Sequence, residues 1–128
     1  MKKRIFYHDT DAGGVVYYGR YLNYLEESRT EFLEKKKMNV GMFHDRGLIF
    51  AVRKCSITYL SPARYGDTVI CEAELLKITA AQLVFFQKIF NKTTGIPAVE
   101  AEVSLVCLNR NFKPVQIPDD LRAKLSSD

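Results

Sequence analysis

One helix-period stretch near the start of the chain, followed by strand-period segments, restricts this sequence to a small set of folds. Tyr18, Tyr21, Leu22, Leu25, Phe32 and Leu33 recur at helical spacing. They predict one helix over roughly residues 18 to 37, with Gly41 beyond it as a stop signal. Later, Val69, Cys71, Ala73 and Leu75 alternate with polar or smaller neighbours, and so do Val99, Ala101, Val103, Leu105 and Cys107. Antiparallel strands with one wet face read this way. Residues 83 to 90, LVFFQKIF, are apolar on both parities at first, which predicts cover on both sides, by the helix and by a second subunit. Between residues 48 and 60 the apolar parity changes from Phe50 and Val52 to Cys55, Ile57 and Tyr59, as a bulge in a long curved strand would make it. SPARYGD at 61 to 67 and NKTTG at 91 to 95 supply turns. With residues 3 to 8 as a first strand, the expected fold class is α+β, one helix laid on a curled antiparallel sheet.

A chain of 128 residues, 47% of them hydrophobic, fits a single domain over residues 1 to 128. Cys55, Cys71 and Cys107 are odd in number and lie in apolar or alternating stretches, so buried thiols in a reducing, cytoplasmic compartment are expected. The basic MKKR start leads into His8, Asp9 and Asp11 instead of an apolar run, so neither a secretion signal nor integral membrane association is expected. The net charge of +4 permits an anionic ligand without choosing one. Lys35, Lys36 and Lys37 follow Glu26, Glu27, Glu31 and Glu34, and read as a solvated helix face with acids early and bases late. Most aromatics fall at helix or strand periodicity and not among surface cations, so nucleic acid is not an expected partner.

Chemistry concentrates in YHDTDAGGVVYYGRY, residues 7 to 21. Two acids and a glycine pair lead into the helix there, setting a carboxylate near N–H groups that can stabilise an anion or a developing oxyanion. Asp and Gly are also ordinary loop and cap residues, so residue type alone favours a plain helix-capping loop. Other machinery lacks its pattern. His8 and His44 are the only histidines and neither stands at a metal-ligand spacing, so no metal is expected. GxSxG, GxxxxGK[ST] and GxGxxG are absent. What remains is Asp9 or Asp11 with helix-start amides, suited to polarising a carbonyl while a carboxylate acts as base or nucleophile.

DTDAGGVVYYGRYLNYLEESRTEFL, AVRKCSITYLSPARYGD and EAEVSLVCLNR together resemble the hotdog-fold acyl-CoA thioesterases of the 4-hydroxybenzoyl-CoA thioesterase group, closest to the YbgC-type, Tol-Pal-associated enzymes. The resemblance covers nearly the whole chain and implies a central helix wrapped by the sheet, a homodimer or homotetramer, and active sites built from two chains. Asp11 matches the catalytic carboxylate, and Tyr18 the residue whose backbone N–H polarises the thioester carbonyl, with Gly14 and Val15 as substrate-binding positions. Asp9 matches a structural position. Many YbgC-type members carry a histidine where this chain has Tyr18, although a Tyr there also resembles the 4-hydroxybenzoyl-CoA branch; His8 could substitute for it, but an imidazole at a strand end reads first as structural or solvent-exposed. Arg64, Lys77, Arg110 and Lys113 fall near strand ends or turns and are candidates for the coenzyme A phosphates. The expected activity is hydrolysis of acyl-CoA to free acid and coenzyme A, with no cofactor. Acyl carrier protein is a second candidate partner, and a non-catalytic hotdog module binding the same ligands is the alternative.

Overall fold

Strict alternation builds the sheet. Val99, Ala101, Val103, Leu105 and Cys107 are buried along one face of β5 (Ile96–Leu108), while Glu100 and Glu102 stand outward. β4 (Gln82–Asn91) pairs with one edge of β5 and β2 (Ile49–Tyr59) with the other. β3 (Thr68–Ile78) and the short β1 (Lys2–Arg4) complete a five-stranded antiparallel sheet in the order β1-β3-β4-β5-β2. This computed structural model describes residues 1 to 127. The α+β layout expected from the pattern is present.

Helix α1 (Arg20–Lys35) lies on the sheet through Tyr21, Tyr24, Leu25, Ser28, Arg29 and Leu33. Phe32 meets Phe85 edge-on, with ring centroids 5.3 Å apart. Two members of the expected stripe face water instead. Tyr18 precedes the helix and is 63% exposed, and Leu22 lies on its flank at 48%. The buried row takes in the polar Ser28 and Arg29 because β4 offers them a partner. Gln87, fully buried in mid-strand, donates to the Leu25 carbonyl and Ser28 Oγ and accepts from Arg29. The helix stops at a left-handed Lys37 (φ +64°), where Met38 N–H reaches back to the Leu33 carbonyl, and not at Gly41. Its first turn carries no acid, so the expected order of acids early and bases late holds only for Lys35 at the C-terminus.

Two short helices lie outside the segments for which the pattern predicts a helix or a strand. Gly41 sits inside α2 (Val40–Asp45), which Asn39 caps by accepting from Met42 N–H. α3 (Asp119–Ser126) buries Leu121 and Leu125. Both are too short for a helical period to register. Residues 7 to 9 form a 3-10 turn and do not continue β1, because the Asp9 carboxylate accepts from Phe6 N–H and curls the chain.

The bulge expected in β2 lies between Val52 and Lys54. Before it Phe50 packs on Phe43 of α2, and after it Tyr59 packs on Tyr21 of α1. In β4, Leu83, Phe85 and Ile89 are buried beneath the helix, while Val84 and Phe86 are half-buried on the outer face. Among the described residues no helix is long and apolar enough to cross a membrane.

Cys71 and Cys107 are buried, but Cys55 is exposed, because β2 is an edge strand with nothing beyond it in the protomer. Burial pushes the Cys71 thiol up to about 12. The fold therefore favours the protonated thiol, and an unfolded chain releases that proton above about pH 9. Stability from this group is complete below that pH and is lost as pH rises towards 12. Urea midpoints should hold from pH 7 to 9 and fall at pH 10 to 11, less steeply in Cys71→Val, which cannot ionise. An equally steep fall in that variant would assign the pH dependence to other groups.

Candidate active site

The segment from Asp9 to Tyr17 folds back on itself as a tight hairpin. Asp11 N–H donates to the Val15 carbonyl, Gly14 N–H to the Asp11 carbonyl and Tyr17 N–H to the Asp9 carbonyl, and Thr10 bridges Val16. Gly14 turns the tip at φ +79°, a conformation that a side chain strains. At that tip Asp11 is exposed, and its Oδ1 accepts from Gly13 N–H at 2.8 Å. One carboxylate oxygen is thus anchored and the other faces solvent.

Asp9 plays the opposite part. It is 2% exposed, with Oδ2 on Phe6 N–H and Oδ1 3.3 Å from Arg20 Nε in the first turn of α1. His8 stacks on Phe6, and its Nε2 lies 3.5 Å from Asp9, so it serves the buried acid and not Asp11. The Asp9 carboxylate and carbonyl together tie the hairpin to the helix start.

The helix begins through Arg20 N–H to the Tyr17 carbonyl, Tyr21 N–H to Tyr18 and Leu22 N–H to Gly19. That leaves Tyr18 N–H and Gly19 N–H with no acceptor among the described residues. Free N–H groups at a helix start, reinforced by the peptide dipoles behind them, form a site for negative charge. The sequence points to Tyr18 only; Gly19 as a second donor has no signal in residue type.

An aromatic wall adjoins these amides. Tyr18 meets Tyr59 edge-on at 6.4 Å, and Tyr59 meets Tyr21 at 5.8 Å. Val16, Tyr18, Tyr21, Tyr59, Leu60 and Pro62 line a cavity of about 280 Å³. Burial holds the Tyr21 and Tyr59 phenols above their ordinary range, so both stay protonated near neutrality and neither is a base there. A second, more apolar cavity of about 360 Å³ lies between α1, α2 and the start of β2, against Leu33, Phe43, Leu48, Phe50 and Val52, with Arg29 at its wall.

The other sequence-derived candidates divide between the two ends of the sheet. Arg64 bridges Val15, so Gly14, Val15 and Arg64 share the Asp11 end. Lys77 is roughly 26 Å along β3 from Val69, at about 3.3 Å per residue. Arg110 donates to the His44 carbonyl beside Gly47, and Lys113 follows in the same turn. Within one chain, neither Lys77 nor the Arg110 turn meets Asp11. Among the described residues no three His, Cys, Asp or Glu side chains gather as metal ligands would.

Residues 7 to 125 match the model of a family described as the thioesterase-like superfamily. The chain is 33% identical over 121 residues to an acyl-CoA thioesterase YbgC of Haemophilus influenzae, covering 94% of this chain and 88% of that protein. It is 35% identical over 122 residues to an acyl-CoA thioester hydrolase YbgC of Escherichia coli, covering 94% and 90%. A hypothetical protein from Thermus thermophilus superposes with a TM-score of 0.91 at 28% identity, over 98% of this chain and 95% of that one.

Proposed function

The chain belongs to the thioesterase-like superfamily and is a hotdog-fold acyl-CoA thioester hydrolase, and from that premise we propose that the Asp11 carboxylate and the Tyr18 N–H carry the reaction. The observation behind this reading is the pairing of an exposed, half-anchored carboxylate at a hairpin tip with two unclaimed N–H groups where the same hairpin enters α1. The thioester oxygen sits against those amides, which take up negative charge as the carbonyl carbon becomes tetrahedral. Asp11, as nucleophile or as base towards water, needs its free oxygen ionised. Thiolate leaves readily, so the site needs no strong acid to expel it. Asp9 positions this machinery through Arg20 and the Tyr17 N–H.

We further propose one catalytic domain over residues 1 to 128, working in the cytoplasm as a dimer that pairs through β2. Its eleven residues form an edge with exposed Val52, Cys55 and Tyr59, an arrangement that invites another strand. A two-fold pairing runs β2 against its copy antiparallel. The Asp11 end of one protomer then meets the Phe50 end of the other, so the 360 Å³ apolar cavity of one chain serves the carboxylate of its neighbour. Light scattering at micromolar concentration should give twice the chain mass or a multiple of that, and an active monomer would contradict the arrangement.

Release of free coenzyme A thiol across a panel of acyl-CoA chain lengths tests the activity. Turnover with at least one member is expected; binding without turnover across the panel would make the chain an acyl-CoA-binding module. Because the proposed donor is the Tyr18 amide and not its phenol, Tyr18→Phe should keep kcat within tenfold, about 1.4 kcal/mol. A loss as large as that of an Asp11 variant would bring the hydroxyl into the chemistry.

A further inference from the structure

Helix α1 carries a buried cation that the fold leaves unmatched. Arg29 is 9% exposed, and its Nη1 donates to Gln87 Oε1 at 2.9 Å. Among the described residues no carboxylate lies within 4 Å of this guanidinium, and neither Nε nor Nη2 has an acceptor. Those two nitrogens are not sealed in, since the Tyr24 hydroxyl is the one fully buried side-chain polar atom without a partner among the described residues. Arg29 forms part of the wall of the apolar cavity of about 360 Å³, and its spare N–H groups open there. Desolvation already disfavours the ionised guanidinium, and an anion in the cavity relieves that penalty. The one acid in the same wall is Glu26, which is exposed and accepts from Thr30 Oγ1 at 3.0 Å. Water screens a carboxylate in that position, whereas the buried guanidinium acts at low dielectric, so an anion seated inside meets a net attraction.

We propose that Arg29 sets the specificity of this cavity and selects acyl groups that end in a carboxylate, the coenzyme A thioesters of dicarboxylic acids, a reading that rests on the hydrolase function above. The occupant follows from the chemistry. A plain alkyl tail would cover the hydrocarbon wall and leave the spare N–H groups without an acceptor in a dried cavity. A terminal carboxylate accepts from the guanidinium fork and neutralises it, while the methylenes behind it lie against Leu33, Phe43 and Phe50. The cavity stands near the small end of ligand pockets, which run from about 300 to 1,000 Å³, so the acyl chain is short. In the dimer paired through β2, this cavity serves the Asp11 of the neighbouring chain. The substrate is then held at both ends, its thioester by the catalytic hairpin and its free carboxylate by Arg29.

Steady-state kinetics on adipyl-CoA and hexanoyl-CoA, whose acyl groups have equal carbon number, test this. The wild type should show a kcat/KM about tenfold or more higher for adipyl-CoA. Arg29→Gln keeps a donor for Gln87 and removes the charge, so the ratio of the two values should fall to unity or below. Arg29→Lys keeps the cation and should retain most of the preference. Equal values in the wild type, a preference for hexanoyl-CoA, or an unchanged ratio in Arg29→Gln would overturn the assignment. A higher value still for 6-hydroxyhexanoyl-CoA would replace the anion by a neutral acceptor and overturn it as well. Calorimetry with adipyl-CoA and hexanoyl-CoA keeps the test independent of turnover, on Asp11→Asn if the wild type hydrolyses them and on the wild type if it does not. Adipyl-CoA binding about tenfold more tightly supports the role of Arg29 even where no thioester is hydrolysed, and equal affinities overturn it even where hydrolysis proceeds.

Discussion

Asp11→Asn should lower kcat a hundredfold or more, with the folded state and the affinity for acyl-CoA retained. Asn keeps the outline of the side chain and still accepts from Gly13 N–H, so the hairpin tip is preserved. What disappears is an anionic oxygen able to attack a carbonyl or take a proton from water. A hundredfold corresponds to about 2.7 kcal/mol of transition-state stabilisation. Were Asp11 only a loop cap, the substitution would be mild, since Asn caps as well as Asp. The measurement is kcat and KM on one acyl-CoA, with circular dichroism as the check on folding. Retained kcat would remove Asp11 from the reaction and leave the helix acid Glu26 to be tried next.

Gln87→Leu should destabilise the fold by about 3 kcal/mol although leucine fills nearly the same space. Gln87 is the acceptor for Arg29, whose guanidinium is buried against the sheet and whose ionised form is disfavoured by desolvation. Leucine leaves that cation without its acceptor and takes the donor away from Ser28 and the Leu25 carbonyl. The urea midpoint should fall on the order of 1 to 2 M. Adding Arg29→Leu should recover part of the loss, because no buried charge then remains. A Gln87→Leu chain as stable as the wild type would mean that the polar cluster contributes nothing to holding α1 on the sheet.

The sequence shows some of this well. Alternation in β5 leaves one choice of buried face, and the parity change in β2 announces its bulge, because a strand face is a two-residue code. Other features escape it for physical reasons. Tyr18 and Leu22 continue the helical spacing on paper, but the hairpin delays the helix to Arg20 and leaves Tyr18 outside it, while Leu22 falls on the helix flank. Gln87 sits beside Lys88 as one of two polar letters in LVFFQKIF, and only its parity with Phe85 and Ile89 hints that it is the buried one. Cys55 shares the apolar pattern of the core, yet an edge strand does not cover it. At the site, the Asp-rich segment stands out at once, whereas two free amides are a property of hydrogen-bond bookkeeping at the helix start that residue identity does not encode.

The β2 bulge works as a change of reading frame inside one strand. Up to Val52 the even positions face the helix; from Cys55 onward the odd ones do. Read straight through, the strand would carry Lys54, Ser56 and Thr58 into the apolar layer and throw Tyr59 off the aromatic wall. The two halves of β2 are thus spelled in frames that no single sliding motion satisfies together. An edge strand, paired on one side alone, is the one most exposed to slippage, and here any slip is penalised at both ends at once. The apolar cavity beneath Phe50 and the tyrosine wall at Tyr59 are held at a fixed separation by the same extra residue, Arg53.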